Sequence, residues 1–309
     1  MIIFIIIAVS FVGWNLGAND ASNIFGTIIS NKILKFKTAG IIGTIFVILG
    51  AVIGGKNGIE TYNSLYNGQD LKIALAISFA AGISVLIMTI FKIPVSTTHS
   101  ILSGIVVSAL ISGNINVAPL FKIFTSWFLS PIGAMGLGYI IYKISRKFIR
   151  NKIKNVLVFN KFIKILAILI GIYGSYSLGA NNVANVVGIF AKGTNFSINL
   201  WLILGGISIS FGLVTYSKRV MKTVGLDIVY LDNYGALVAV LASAIVIHLY
   251  SVIGVPVSSS QAIVGGVIGV GMTESVRNIN YKIILKIVSG WIYSILISGF
   301  LTFIFIKLL

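Results

Sequence analysis

The chain contains no cysteine, and only six of its 309 residues are acidic. Without thiols there is no disulfide framework and no thiolate metal site, and the sequence carries no mark of a redox compartment. Charged residues make up 9% of the chain against 57% hydrophobic, with a mean hydropathy of +1.05. Soluble domains are about a quarter charged, so this composition excludes an ordinary soluble fold and leaves a polytopic membrane protein. No G-x-x-x-x-G-K-[ST] stretch occurs, which removes a P-loop as an energy source within the chain. Polar alternation is also missing. Residues 41–55, 73–91, 200–211 and 283–306 are apolar runs without the in–out pattern of a barrel strand, and in hydrocarbon the backbone must satisfy itself, so they are predicted to be helices. The N-terminus is apolar from Ile2, lacks a basic leading region and runs directly into a motif at Leu16. It reads as a first span and not as a cleaved signal.

The charge that is present is one-sided, at a net +17. The basic residues fall in short loops between apolar runs, so the positive-inside rule accounts for them better than a nucleic-acid partner does. The densest run extends from Lys143 to Lys164 and includes no acid. It is expected on the cytoplasmic side of a multi-pass protein of the cell membrane. Its attraction for anionic headgroups reads as a by-product of topology.

The chain is written twice. "LGAND" at Leu16 returns as "LGANN" at Leu178, and "IPVSTTHSI" at Ile93 returns as "VPVSSSQAI" at Val255. One offset of 162 maps Asn19 to Asn181, Asn23 to Asn185 and Pro94 to Pro256, and several glycines keep the same register. The predicted organisation is a first transmembrane repeat (1–145), a basic cytoplasmic linker (146–159) and a second repeat (160–309). If each repeat holds a helix interrupted at the GAN motif, a second span, a re-entrant hairpin folded at Pro-Val-Ser and a final span, it crosses an odd number of times and the repeats are inverted. That topology places seventeen basic residues on the linker's side and five on the other. The expected fold is therefore all-α, with two inverted-topology repeats, broken helices and two re-entrant helical hairpins, the pattern of secondary transporters.

Asp20 is the one acid set inside an apolar stretch; Glu60, Asp70, Asp227, Asp232 and Glu274 fall in predicted loops. A carboxylate in the membrane is costly unless paired, and no cationic residue stands on its motif, so a bound cation is its natural partner. Asn19, Asn181 and Asn182 offer further oxygen ligands of the kind a hard ion such as Na⁺ prefers, and Gly17 and Gly179 are positioned to permit a helix break that frees carbonyls. Asn23 and Asn185 complete the two motifs. Ordinary helix capping is the competing role for all of these. After each proline, Ser96, Thr97 and Thr98, and likewise Ser258, Ser259 and Ser260, open a half-helix. Its free N–H groups and positive dipole end suit an oxyanion without any arginine. His99 maps onto Gln261, which makes an obligatory proton relay one-sided, and His248 stands alone in an apolar helix and reads as structural. Lys92 could reach an interface or an anion.

Taken together, "GANDASNIFGT" (17–27), "PVSTTHS" (94–100), "GANNVANVVG" and "PVSSSQA" resemble the PiT inorganic phosphate transporter family, over both repeats. The resemblance implies import of inorganic phosphate coupled to Na⁺ or H⁺, no organic cofactor, no enzymatic activity and a homodimer in the bilayer. It implies that Asp20 and the motif asparagines serve the coupling cations and contact phosphate, and that the Ser/Thr residues after each proline hold phosphate. One departure stands out: the family writes an aspartate in both repeats, and here the second is Asn182. A phosphate dianion moving inward against 100 mV works against roughly twice 2.3 kcal/mol, so at least two cations must accompany it. The alternatives are a carrier of another tetrahedral oxyanion such as sulfate, or a passive anion channel, which would leave Asp20 without a purpose.

Overall fold

The computed structural model describes residues 1–66, 70–113, 117–222, 228–273 and 279–309, and among them every regular element is helical. Asp227, Glu274 and Arg277 (one of the seventeen basic residues counted on the linker's side) lie outside the described residues. The first repeat comprises α1 (Ile2–Asp20), α2 (Ser22–Ser30), α3 (Phe36–Gly54), α4 (Lys56–Leu65), α5 (Leu71–Ile90), α6 (Thr97–Ser112) and α7 (Val117–Lys152). The second comprises α8 (Val156–Val187), α9 (Ile198–Tyr216), α10 (Lys218–Lys222), α11 (Asn233–Val252), α12 (Ser259–Gly271) and α13 (Tyr281–Lys307). The offset of 162 carries α3 onto α9 and α5 onto α11 at both ends, and the first residues of α4 and α6 onto those of α10 and α12. Counting α1 and α2 as one, eight described helices are long and apolar enough to cross a membrane, whereas α6 and α12 are shorter. The chain is a multi-pass membrane protein.

The local chemistry of the duplication is conserved as well as its lengths. Asp70 caps α5 by accepting from Lys72 N at 2.8 Å, and its repeat mate Asp232 caps α11 by accepting from Gly235 N at 2.6 Å. Two of the acids expected in loops thus stop helix fraying. Glu60 is an exposed residue of helix α4 instead of a loop residue. Between α5 and α6, and between α11 and α12, the chain is unwound around Pro94 and Pro256, since proline removes an N–H and restricts the residue before it. Both turns begin with one residue in the left-handed region: Lys92 (φ 60°) in the first and Gly254 (φ 73°) in the second.

Helix directions prove the inversion. Gly13 and Gly17 of α1 meet Ser208 and Leu213 of α9 in ascending order, whereas Gly40 of α3 meets Val214 and Gly206 meets Ala51 in opposite order, so α3 runs against α1. Going up α3, however, Gly50 abuts Tyr176, Gly54 abuts Ala180 and Gly58 of α4 abuts Ala184, all ascending along α8. Helix α8 therefore runs with α3 and against α1, the repeat mate of its own first half. The same exchange pairs α1 with α9, α13 with α6 and α7 with α12. Close approach at these seams requires glycine: a Cβ on Gly17 would stand 1.8 Å from Ile209 O, and one on Gly179 2.0 Å from Val47 O. Gly17 and Gly179 are thus packing glycines within continuous helix. The interruption of the first helix falls instead at Ala21, and α8 runs unbroken to Val187. The Gly50–Gly54 and Gly265–Gly269 pairs also line seams, against Tyr176 and Ala180 and against Pro131 and Met135.

The basic segment read as a linker is largely helical. Residues 146–152 complete α7 and 156–159 open α8, which leaves only 153–155 as a turn. Helix α7 carries Pro131 within it.

Candidate functional site

Every motif residue is buried at the centre of the fold. Asn19, Asp20, Asn23, Ser96, Thr97, Thr98, Asn181, Asn182, Asn185, Ser258, Ser259 and Ser260 are each 3% exposed or less. The inversion explains this convergence. It brings the tip of the α5–α6 hairpin and the tip of the α11–α12 hairpin together from opposite directions, and Thr98 Oγ1 donates across the junction to Val257 O at 3.3 Å.

Two asparagines hold the unwound tips. Asn19 donates from Nδ2 to Thr89 Oγ1 (2.9 Å) and Ile93 O (3.1 Å), and its Oδ1 accepts from Val95 N at 2.9 Å. Its mate Asn181 donates to Val257 O at 3.0 Å and accepts from Val257 N at 3.1 Å. Each supplies the backbone partners that proline and the missing helix turn remove, without which buried peptide groups would be costly. Asn19 and Asn181 therefore have side-chain amides already committed to the hairpins.

Ser96 and Ser258 cap the half-helices, accepting from His99 N and Gln261 N at 3.2 Å each. The first N–H groups of α6 and α12, at Thr97, Thr98, Ser259 and Ser260, have no partner within their helices by helix geometry. Ser258 and Ser260 hydroxyls lie 3.1 Å apart. Two helix N-termini with hydroxyls thus face one buried junction, an arrangement that favours negative charge.

The two halves then part company. Ser259 Oγ donates to Asp20 Oδ2 at 2.8 Å, and Asn23 Nδ2 donates to Ser259 Oγ at 3.3 Å. Asp20 Oδ1 and Asn23 Oδ1 are left buried with no hydrogen-bond partner, two acceptor oxygens on adjacent turns. In the other half Asn185 bonds both Asn182 Oδ1 (2.9 Å) and Thr98 Oγ1 (3.0 Å), and accepts from the Tyr62 hydroxyl. There the groups without a partner are Asn182 Nδ2 and Thr97 Oγ1. One half offers open acceptors, the other an open amide donor.

His99 is buried against Trp127, ring centroids 3.9 Å apart, with Gln261 beside it. His248 bonds Tyr173 through Nδ1 at 2.9 Å and packs edge-on against Tyr173 and Tyr176, a structural role. Lys92 is exposed, away from the buried junction. Sequence reasoning missed Tyr62 and Thr89. Tyr62 is fully buried although its helix is polar on average, and a lone aromatic in a polar segment gave the only hint of it.

An inverted-repeat bundle with two broken hairpins meeting at a buried, polar, oxygen-rich centre is the architecture of a secondary-transporter fold. The profile of the phosphate transporter family matches residues 16–162 and again 152–302, one match for each repeat, so the chain belongs to that family. A Methanocaldococcus jannaschii protein described as a putative phosphate permease is 30% identical over 292 residues, covering 94% of this chain and 91% of that protein. The sulfate permease CysP of Bacillus subtilis is 28% identical over 304 residues, covering 96% of this chain and 85% of that protein. A solved structure titled "The sodium-dependent phosphate transporter" superposes with a TM-score of 0.84 over 99% of both chains at 24% identity, a likeness of fold.

Proposed function

We propose that this protein imports inorganic phosphate across the cell membrane together with a cation, Na⁺ in preference to H⁺, by alternating access around the junction of the two hairpins. The observation that carries the reading is Asp20: a fully buried acid, held on one oxygen by a serine of the opposite repeat, with its other oxygen open. A carboxylate so placed needs a cation, and a cation so placed needs acceptors, which Asp20 Oδ1 and Asn23 Oδ1 supply. In this reading Asn182 contributes to the anion more than to the cation, because its open group is an N–H donor. Asn19 and Asn181 act by fixing the tips, and Ser96, Thr97, Thr98 and Ser258, Ser259 and Ser260 present hydroxyls and helix N-termini to phosphate. The hairpins are re-entrant, the α7–α8 connection is cytoplasmic, and the protein works as a homodimer.

Sulfate is the second reading, favoured by the extent of the match to a sulfate permease. A phosphate monoanion or dianion carries an O–H that an acceptor not used by the cation, such as the open Thr97 Oγ1, can recognise; sulfate at neutral pH carries none, and an unpaired buried acceptor discriminates against it. Uptake of radiolabelled phosphate into proteoliposomes, with Na⁺ and pH gradients imposed separately and sulfate as competitor, tests both. Phosphate uptake driven by the Na⁺ gradient and indifferent to sulfate is the expected result. Competition by sulfate at equal concentration would favour the second reading, and uptake insensitive to both gradients would end the coupled one.

A further inference from the structure

The basic cluster between the repeats is more than a topology signal, because it folds around a cleft. Between the end of α7, the start of α8 and the first turn of α11 lies a cavity of about 210 Å³. Arg146 and Lys154 line it together with the apolar side chains of Ile149, Ile153, Val156 and Phe159. Asp232 and Tyr234 also line it, at the start of α11. The Arg146 guanidinium stands over the Tyr142 ring at 5.3 Å, and the Tyr142 hydroxyl donates to Asp232 Oδ2 at 3.2 Å. Asp232 Oδ1 is held by Gly235 N. The one acid at the cleft therefore has both oxygens engaged by the protein, and the wall that carries Arg146 is braced.

Two neighbouring features indicate what the cleft takes. Outside it, Ile144, Phe148 and Leu157 are strongly exposed apolar residues on the same helix ends, so the cleft opens where exposed apolar surface meets the basic cluster. Lys143, Lys147 and Lys152 belong to the same end of α7. A free oxyanion gains nothing from four apolar walls. A molecule with a phosphodiester and a hydrocarbon part gains from both, its charge on Arg146 and Lys154 and its glycerol and first methylenes on Ile149, Ile153 and Phe159. We propose that this cleft is a binding site for one anionic phospholipid, which clamps the α7–α8 turn where the two repeats join. The proposal is independent of which oxyanion is transported.

The test is native mass spectrometry of the intact protein offered phosphatidylglycerol and phosphatidylcholine in equal amounts. The wild type should retain one phosphatidylglycerol in preference. The pair Arg146→Gln and Lys154→Gln should weaken retention roughly thirtyfold, the effect of two cationic contacts. The pair Lys161→Gln and Lys164→Gln, which removes the same charge from an exposed face of α8 outside the cleft, should leave it unchanged. Equal retention of both lipids by the wild type would overturn the proposal, and that arm needs no variant to fold. So would equal losses in the two double variants, which would mean diffuse attraction to the cluster. Displacement of the lipid by millimolar inorganic phosphate would mean a free-anion site and would overturn it as well.

Discussion

Asp20 and Asn182 occupy the same position of a duplicated motif, one helix turn beyond glycines that pack in the same way, yet their surroundings differ in kind. Around Asp20 a serine from the opposite hairpin donates inward and two acceptor oxygens are left open. Around Asn182 the amide oxygen is taken by Asn185, which reaches on to Thr98 where strict symmetry would select Thr97. A change of one atom, oxygen to NH₂, reverses the sense of the open group. The scaffold is two-fold; the charge chemistry is not. One half leaves acceptor oxygens open, the other an amide donor, and Asp20 is the one carboxylate among the described residues of the centre.

The largest effect is expected from making the halves alike in the wrong sense. Asp20→Asn should reduce cation-driven uptake at least about a hundredfold, the loss of a charged buried partner, with normal membrane insertion seen on blots and in size-exclusion chromatography. Undiminished uptake would remove the carboxylate from the mechanism. Next comes a break in the shared scaffold. Gly17→Val places a branched side chain where a Cβ alone would stand 1.8 Å from Ile209 O, and overpacking there should exceed ~3 kcal/mol. Little folded protein should be recovered in detergent. Because Gly179 performs the same task, Gly179→Val should fail equally, and a mild phenotype for either would show that the seams are not equivalent.

Asn182→Asp sharpens the comparison by restoring the charge. The variant should raise the number of cations carried per phosphate by one, measured as the ratio of ²²Na⁺ to ³²P fluxes, with folding unchanged. An unaltered ratio would mean that the second half has no room for a cation. Smaller still is Tyr62→Phe, which deletes the hydroxyl donor to Asn185 and should cost about 1 kcal/mol, read as a modest drop in melting temperature and a several-fold loss of uptake. Last, Ser96→Ala and Ser258→Ala each remove an N-cap worth about 1 kcal/mol. The two should be similar in thermal stability, since both caps have the same 3.2 Å geometry.

Much of this was legible in the residues. The 162-residue offset fixed which helices correspond, Pro94 and Pro256 fixed where the hairpins unwind, and Asp20 declared itself by being an acid in an apolar run. Other features could not be read. Gly17 and Gly179 looked like hinges, because a glycine that relieves strain and a glycine that admits a neighbouring backbone are the same letter. The polar character of residues 56–65 resembled a loop, and a helix bearing the buried Tyr62 emerged because its apolar side meets α8. The basic run read as an address label for the membrane side, and its cleft exists only because α11 closes it.

By itself the sequence determined the class: an apolar chain with few charges must lie in a bilayer, and a duplicated set of helix breakers must build two like halves. Inversion was already implied by counting crossings, since an odd number reverses direction. What the tertiary structure decided is which groups remain open. Hydrogen-bond saturation depends on partners 76 to 239 residues away: Ser259 for Asp20, Thr98 for Asn185, Val257 for Asn181. No local pattern encodes that, because each donor and acceptor is claimed only once the two hairpin tips meet.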